Sequence, residues 1–377
     1  MATLVGAAFV LALSPPTDLI GDRGLSRLLT QRAVQQVIHL NVVSRDEVQG
    51  RWLGQYQQRE DGRGVSPDFH GIDALPTSDS ASYVCGLLAL PTTLIGVRRR
   101  NMPMGGSPNN PYLKDRRAFE EVPFEIKGVA VAQSVMAMRA ALAAEWEQDV
   151  ALFACEDAAL VSRHRQAMAA GAAGSARNAA AVSAATASTL PTFEAGRLGG
   201  DSGRSSPFRL ATYDLLKLLA TRQALLSVLD ELSGGDGRFG GGRISDGSGR
   251  GDPRRSRRRD CLAGQSREEA AASAEWLERF WEARKAGFYG HRPWAQGEQG
   301  ATGPADALVW DLLAAEPSVV PGTGGSGGVL IDPPRLAEAM LEVRSEVAEE
   351  WRGDVALVAE EHLCWRRWHL ERGGEVS

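Results

Sequence analysis

The chain reads as an all-α protein of two tandem repeats, each made of four helical blocks of which the last is a long helix. Three observations lead there. Residues 135–164 and 340–369 align without a gap at 11 of 30 positions: Arg139/Arg344, Ala143/Ala348, Glu145/Glu350, Trp146/Trp351, Asp149/Asp354, Val150/Val355, Ala151/Ala356, Leu152/Leu357, Ala154/Ala359, Glu156/Glu361 and His164/His369. Three shorter blocks precede each copy in the same order. Finally, Met340, Val343, Val347, Trp351, Val355, Val358, His362 and Trp365 step by three or four, the spacing of one helix face. Self-similarity of this kind is the signature of a repeated supersecondary unit.

The first block is Leu28–Ile38, answered by Leu219–Leu229 with one residue of slack at the start. Trp52-Leu53-Gly54-Gln55-Tyr56 is then answered by Trp276-Leu277-Glu278-Arg279-Phe280, and Tyr83–Ala89 by Leu308–Ala314. The fourth block is the long one. In the second half it spans about Arg335 to Leu370, roughly 54 Å at 1.5 Å per residue. Asp332-Pro333-Pro334 punctuates its start, and early glutamates with Arg366 and Arg367 late suit the helix dipole. Such a helix overhangs a bundle of three shorter ones, so its free end needs a partner surface.

This order divides the chain into a flexible or targeting N-terminus (1–19), a first repeat (20–167, with an insertion at about 91–127), a linker (168–206) and a second repeat (207–373, with a disordered insertion at about 233–265). The linker is mostly Ala, Gly and Ser, a composition that buries too little apolar surface to offset ordering entropy, although Ala167–Ala187 can still be partly helical. Pro91–Lys127 shows no sustained period, and Pro317–Pro334 fills the matching place in the second half. The apolar stretch Leu4–Leu13 is too short to cross a bilayer and lacks preceding basic residues.

At 377 residues, 43% hydrophobic and 24% charged, the chain is long and apolar enough for two cores. A net charge of −5 argues against a generic nucleic-acid binder, which needs a basic face. Cys85, Cys155, Cys261 and Cys364 form no CxxC pair, which points away from a disulfide framework or zinc site and toward a reducing compartment.

Several motifs carry little. Gly235–Gly240 and Gly322–Gly327 fit GxGxxG but follow no strand and open no βαβ unit. Gly200-Asp201-Ser202-Gly203 resembles the surroundings of a serine nucleophile, but lies in the linker, where nothing holds a triad together. No acid, base or nucleophile constellation indicates an enzyme, and no cofactor or metal is implied. Arg254–Arg259 is the one strong basic run, read as a solvated loop or an RNA contact. His164 and His369, near the ends of the long helices, read as capping cations. Trp52/Trp276 and Trp146/Trp351 read as core or interface. Arg139 and Arg344 each follow a stripe residue, and so read either as snorkelling surface arginines or as partner-facing forks for a carboxylate.

The ordered blocks resemble RbcX, the Rubisco assembly chaperone family: L-x-x-x-Q-A-[LV]-x-x-V-L, then W-L-x-x-F, a short apolar helix, and M-x-V-R-x-x-[VL]-A-x-E-W on a long helix. The second half carries Gln223-Ala224-Leu225, Val228-Leu229, Trp276-Leu277 with Phe280, and Val343-Arg344 with Ala348, Glu350 and Trp351. The first carries Ala33-Val34, Val37-Ile38, Trp52-Leu53 with Tyr56, and Met138-Arg139 with Ala143, Glu145 and Trp146. The resemblance implies a non-catalytic chaperone of the Rubisco large subunit, housed in a plastid stroma. It also implies that both protomers of the family's dimer are fused here as an intramolecular pseudo-dimer, with Trp146, Val150, Trp351 and Val355 at the dimer-like interface. Arg139 and Arg344 would make peripheral client contacts, and Leu28, Gln31, Leu219, Arg222 and Gln223 would line the groove for the client's C-terminal tail. Where many members have a tyrosine pair, this chain has Leu28 and Gln31, and Leu219 and Arg222, so the expected groove has apolar walls. The other reading is a duplicated helical scaffold that binds something else, including RNA through Arg254–Arg259.

Overall fold

A computed structural model describes residues 16, 18–57, 79–100, 119–173, 209–234, 266–290, 303–321 and 328–373. These residues are mostly helical. In the first half α1 (Arg23–Val43), α2 (Glu47–Gln55) and α3 (Ser80–Ala89) are followed by strands β1 (Thr93–Arg100) and β2 (Phe119–Ile126), then α4 (Gly128–Val150) and α5 (Phe153–Ala173). In the second half α6 (Arg209–Leu232), α7 (Arg267–Gly290) and α8 (Pro304–Leu313) are followed by β3 (Ser318–Pro321) and β4 (Gly328–Ile331), then α9 (Pro333–Ala356) and α10 (Val358–Gly373).

Local chemistry sets the helix starts. Asp22 accepts from the Gly24 and Leu25 amides (2.8 and 3.1 Å), and Asp79 from the Ser82 amide (2.6 Å), satisfying donors that have no partner within the helix. Ser266 and Glu269 form a reciprocal capping box at α7, with Ser266 Oγ accepting at 3.2 Å and Glu269 Oε2 at 2.8 Å. Asp332 accepts from the Arg335 amide, so the Asp-Pro-Pro signal starts α9 as the sequence indicates.

The mostly helical content agrees with the expected all-α class, but two details differ. Each half carries a small two-stranded antiparallel hairpin between its third helix and its long helical segment. Thr93 pairs with Ile126 and Arg100 with Phe119 in one; Ser318 pairs with Ile331 in the other. Pro123, opposite Gly96, disguised the first hairpin. In a two-stranded ribbon each strand is an edge, where a missing N–H is tolerated.

The long helix is also interrupted in both halves, at Ala151–Leu152 and at Leu357. In the first half the Leu152 amide bonds to the Asp149 carbonyl (3.1 Å), a tightened turn. The side-chain stripe runs on through the interruption, so periodicity alone does not reveal it. α5 continues to Ala173, within the part of the expected linker, Ala167–Ala187, whose composition also allows helix. The remainder of the linker and all but the first two residues of the Ser233–Gln265 insertion lie outside the described residues.

The chain divides into two compact units. Among the described residues, one contains α1, α2, α3, the first hairpin, α4 as far as Ala141, and α10; the other contains those from Leu142 to Ala356. In the first unit α1 packs on α2 and α3, and α10 packs on α3. Its core includes Leu25, Leu28, Leu29, Val34, Leu53, Val84, Leu87 and Met136. In the second, α6 packs against α7, α8 and α9, while α5 lies on α8 and α9. Its core includes Leu216, Leu225, Leu277, Leu312, Leu336, Val347 and Trp351. Each such side chain contributes about 1.5–3 kcal/mol by leaving water.

Gly128 shows how tightly the first unit is fitted. A Cβ there would lie 2.5 Å from the Leu87 carbonyl oxygen and 2.8 Å from Leu90 Cβ. Backbone cannot swing away as a side-chain tip can. Gly128→Ala is therefore expected to cost about 1–3 kcal/mol, the scale of overpacking, despite alanine's helix preference of about 1 kcal/mol. Denaturant unfolding tests this; an unchanged or raised midpoint would refute the close approach.

Candidate functional site

Arg139 and Arg344 lie inside the protein, 0% and 1% exposed. The expectation that they face a client is corrected, because each guanidinium is consumed by an internal network.

In the first unit Arg139 pairs with Glu361 of α10 (2.8 Å), and its Nη1 donates to His362 Nε2 (3.0 Å). The guanidinium also sits over the Trp365 ring, 4.5 Å from its centroid. Glu361 accepts from the Leu19 amide as well (2.9 Å). Burial, with help from Arg139 and Arg366, pushes His362 down to about 3, so it stays neutral and can accept. Burial also lowers the Arg139 pKa, against the opposing pull of Glu361 and Asp18.

The second unit carries a larger cluster. Arg344 Nε and Nη2 donate to Asp157 of α5, Nη1 to Thr221 of α6 (2.9 Å), and Nη2 to Asp306 of α8 (3.2 Å). Lys217 of α6 pairs with both Glu156 and Asp306. Burial pulls the Arg344 pKa down, but two carboxylates outweigh it and the net direction is up. Asp306 has the mirror balance: burial raises it, and Lys217 with Arg344 bring it below the ordinary value. Asp157 goes up, since burial there exceeds the pull of Arg344. Asp214 is pushed up to about 7 by burial and by the neighbouring Asp306 and Glu156, against Lys217. At the first turn of α6, Arg209 grips Asp149 through Nε (3.1 and 3.3 Å) and Nη2 (2.5 Å), next to the α4–α5 interruption.

The other expected site residues are also placed. Leu28, Gln31 and Leu219 are buried, and Arg222 and Gln223 are half-buried. All lie on α1 or α6, which are packed elements of their units, α6 with helices on several sides. Trp146, Val150, Trp351 and Val355 are all buried, and all belong to the second unit. Trp52 and Trp276 are half-buried, paired with Tyr56 and Phe280 at centroid separations of 5.5 and 5.2 Å. His164 lies within α5 with its ring edge-on to Trp310, not at a helix end. The motifs at 200–203, 235–240 and 322–327 and the Arg254–Arg259 run lie outside the described residues. Among the described residues no group of three His, Cys, Asp or Glu could hold a metal ion, and no helix is long and apolar enough to cross a membrane.

An open groove of about 660 Å³ does exist, in the second unit between α5 and α9. Ala154, Ala158, Val161 and Leu341 form its walls, Asp157 reaches it from the buried cluster, and Arg165 and Glu342 stand on it. Arg165 is held by Glu338 (2.9 Å). The small side chains leave room for an extended chain to lie close to the helix backbones, and the volume is that of an ordinary ligand pocket. Sequence reading missed this groove because its walls come from helices far apart in the chain.

Comparison of the chain with protein-family models, curated proteins and solved structures finds no match.

Proposed function

We propose that the chain is a duplicated, fused pseudo-dimer of the RbcX type, a non-catalytic chaperone that assists assembly of the Rubisco large-subunit core. The observation that carries this reading is the composition of the two units. The first includes the last helix of the second half (Val358–Gly373), and the second includes the last helical segment of the first half, from Leu142 onward. A dimer whose long last helices cross would give that exchange when its protomers are joined in one chain. Joining them replaces a bimolecular association by an intramolecular one at high effective concentration. The element order helix, helix, helix, hairpin, helix, helix, present in both halves, also supports duplication.

With Arg139 and Arg344 inside, client binding falls to exposed positions. In this reading the α5–α9 groove takes an extended apolar tail of the large subunit, with burial against Val161 and Leu341 as the driving term. Co-expression with a large subunit should raise the yield of assembled core, and the full chain should bind a peptide of that subunit's C-terminal tail. Ala158 is exposed, so Ala158→Trp should fill the groove and abolish peptide binding while leaving the unfolding midpoint in place. If the intact protein neither binds the tail nor raises core yield, the chaperone reading fails. If it does both and Ala158→Trp changes nothing, the groove is the wrong site.

A further inference from the structure

We propose that Asp214 makes the charge cluster of the second unit a proton-operated latch on α5: with Asp214 neutral the cluster holds α5 and α8 against α6 and α9, and with Asp214 ionised it loosens them. The proposal concerns the fold of the second unit and stands whatever client the groove takes.

The charge count carries the argument. Glu156 and Asp157 from α5, Asp306 from α8 and Asp214 from α6 are four carboxylates around two buried cations, Lys217 of α6 and Arg344 of α9. Arg163 of α5 adds its field from the rim, acting on Asp306 and Glu156. The two cations are already spent. Lys217 bridges Glu156 and Asp306, and Arg344 bridges Asp157 and Asp306. Asp214 is the carboxylate left over. Its Oδ1 lies 3.6 Å from where a Cβ would stand on Gly303, one turn before Asp306 at the start of α8. Among the described residues its carboxylate takes no hydrogen bond. On its own helix Tyr213 and Lys217 are the neighbours, with the ammonium 5.9 Å from the ring centroid. On α7, which also packs on α6, Arg279, Arg284 and Lys285 are engaged by Glu275, Asp311 and Glu282 at the surface.

A fourth negative charge here repels Glu156 and Asp306, the two groups through which Lys217 holds α5 and α8. Because the folded state raises the Asp214 pKa from 3.8 to about 7, it binds the proton more tightly than the unfolded chain does. The associated stability is therefore fully present below the unfolded value and is lost as pH rises toward and through the folded one. α5 is also a wall of the groove, and Asp157 belongs to both features, so loosening α5 reshapes the groove.

The test is amide hydrogen exchange on the full chain at pH 5.5 and 8.0, corrected for intrinsic rates, for wild type and Asp214→Asn. In the wild type, opening of α5 and α8 should increase about tenfold or more at the higher pH, the equivalent of at least one pKa unit. In Asp214→Asn it should be flat, and the first unit should not respond in either protein. No pH response in wild-type α5, or an equal response in the Asn variant, overturns the proposal. If the variant does not fold, the carboxyl carbon of Asp214 in the wild type is followed by NMR. A midpoint near pH 7 supports the latch, and one near 4 sinks it.

Discussion

Arg344→Ala should unfold the second unit or leave it barely stable. The guanidinium is 1% exposed and is shared by Asp157, Asp306 and Thr221, so its removal strands Asp157 in a largely dry cluster and leaves Asp306 to Lys217 alone. Breaking a buried ion pair from one side costs about 3–5 kcal/mol, against a typical total of about 5–15 kcal/mol. Lys217 still holds Asp306, so Asp157 carries most of the loss. Burial already raises the Asp157 pKa, and Arg344 is the main force opposing that rise. Without Arg344, the proton binds the folded state still more tightly. The variant should thus regain part of its stability as pH falls from 8 toward 5, a rescue the wild type does not show to the same extent. Urea unfolding at both pH values measures it. A variant within about 1 kcal/mol of wild type at pH 8 would mean the cluster contributes far less than its geometry indicates.

That outcome bears on how client binding can be tested. A surface arginine could be cut to alanine to ask whether assembly suffers; a buried one cannot. Loss of core assembly in an Arg139 or Arg344 variant would report a broken fold. The informative positions are exposed ones such as Ala158, where the groove changes and the core does not.

The placement of these arginines was in part readable. Seen as a single stripe, α9 runs Met340, Val343, Val347, Trp351, Val355 and leaves Arg344 on its flank. A second stripe, Ala337, Leu341, Arg344, Ala348, is buried beside it. In α4 the stripe Ala132, Met136, Arg139, Ala143, Trp146, Val150 contains the arginine outright, and every member is buried. A helix packed on two sides buries a wide arc, and a cation inside that arc must meet an acid. Which acid was not readable: Asp157 is 187 residues from Arg344, on a helix of the other half. Lys217 carried a comparable signal as a lone cation in the apolar run Leu215–Ala220. The hairpins left almost none, with a proline in β2 and four-residue strands in the second half.

Arg139 allows the sharper experiment, because its network is small enough to remove whole. Arg139→Met keeps an unbranched apolar stem but ends short of the guanidinium seated over Trp365, and it leaves Glu361, 0% exposed, with only the Leu19 amide. It should cost about 3–5 kcal/mol, the same one-sided penalty, with up to about 2 kcal/mol of that from the lost cation–π contact. Glu361→Gln alone strands the arginine instead, leaving it His362 and the indole, and should cost a similar amount. The double variant Arg139→Met/Glu361→Gln removes both charges and should recover most of the loss. The carboxamide oxygen introduced by Glu361→Gln can still accept from the Leu19 amide, and burying neutral groups of like volume avoids the desolvation of two ions. Unfolding free energies of the four proteins close a double-mutant cycle, with an expected coupling of about 2 kcal/mol or more. Additive losses would show that the two residues are buried for separate reasons. A large coupling would mean that each charge is tolerated in the core on account of the other. Replacing the pair with apolar groups should then be neutral or stabilising while α10 keeps its place, since Trp365 and, one turn along α4, Met136 are already buried and provide an apolar seat.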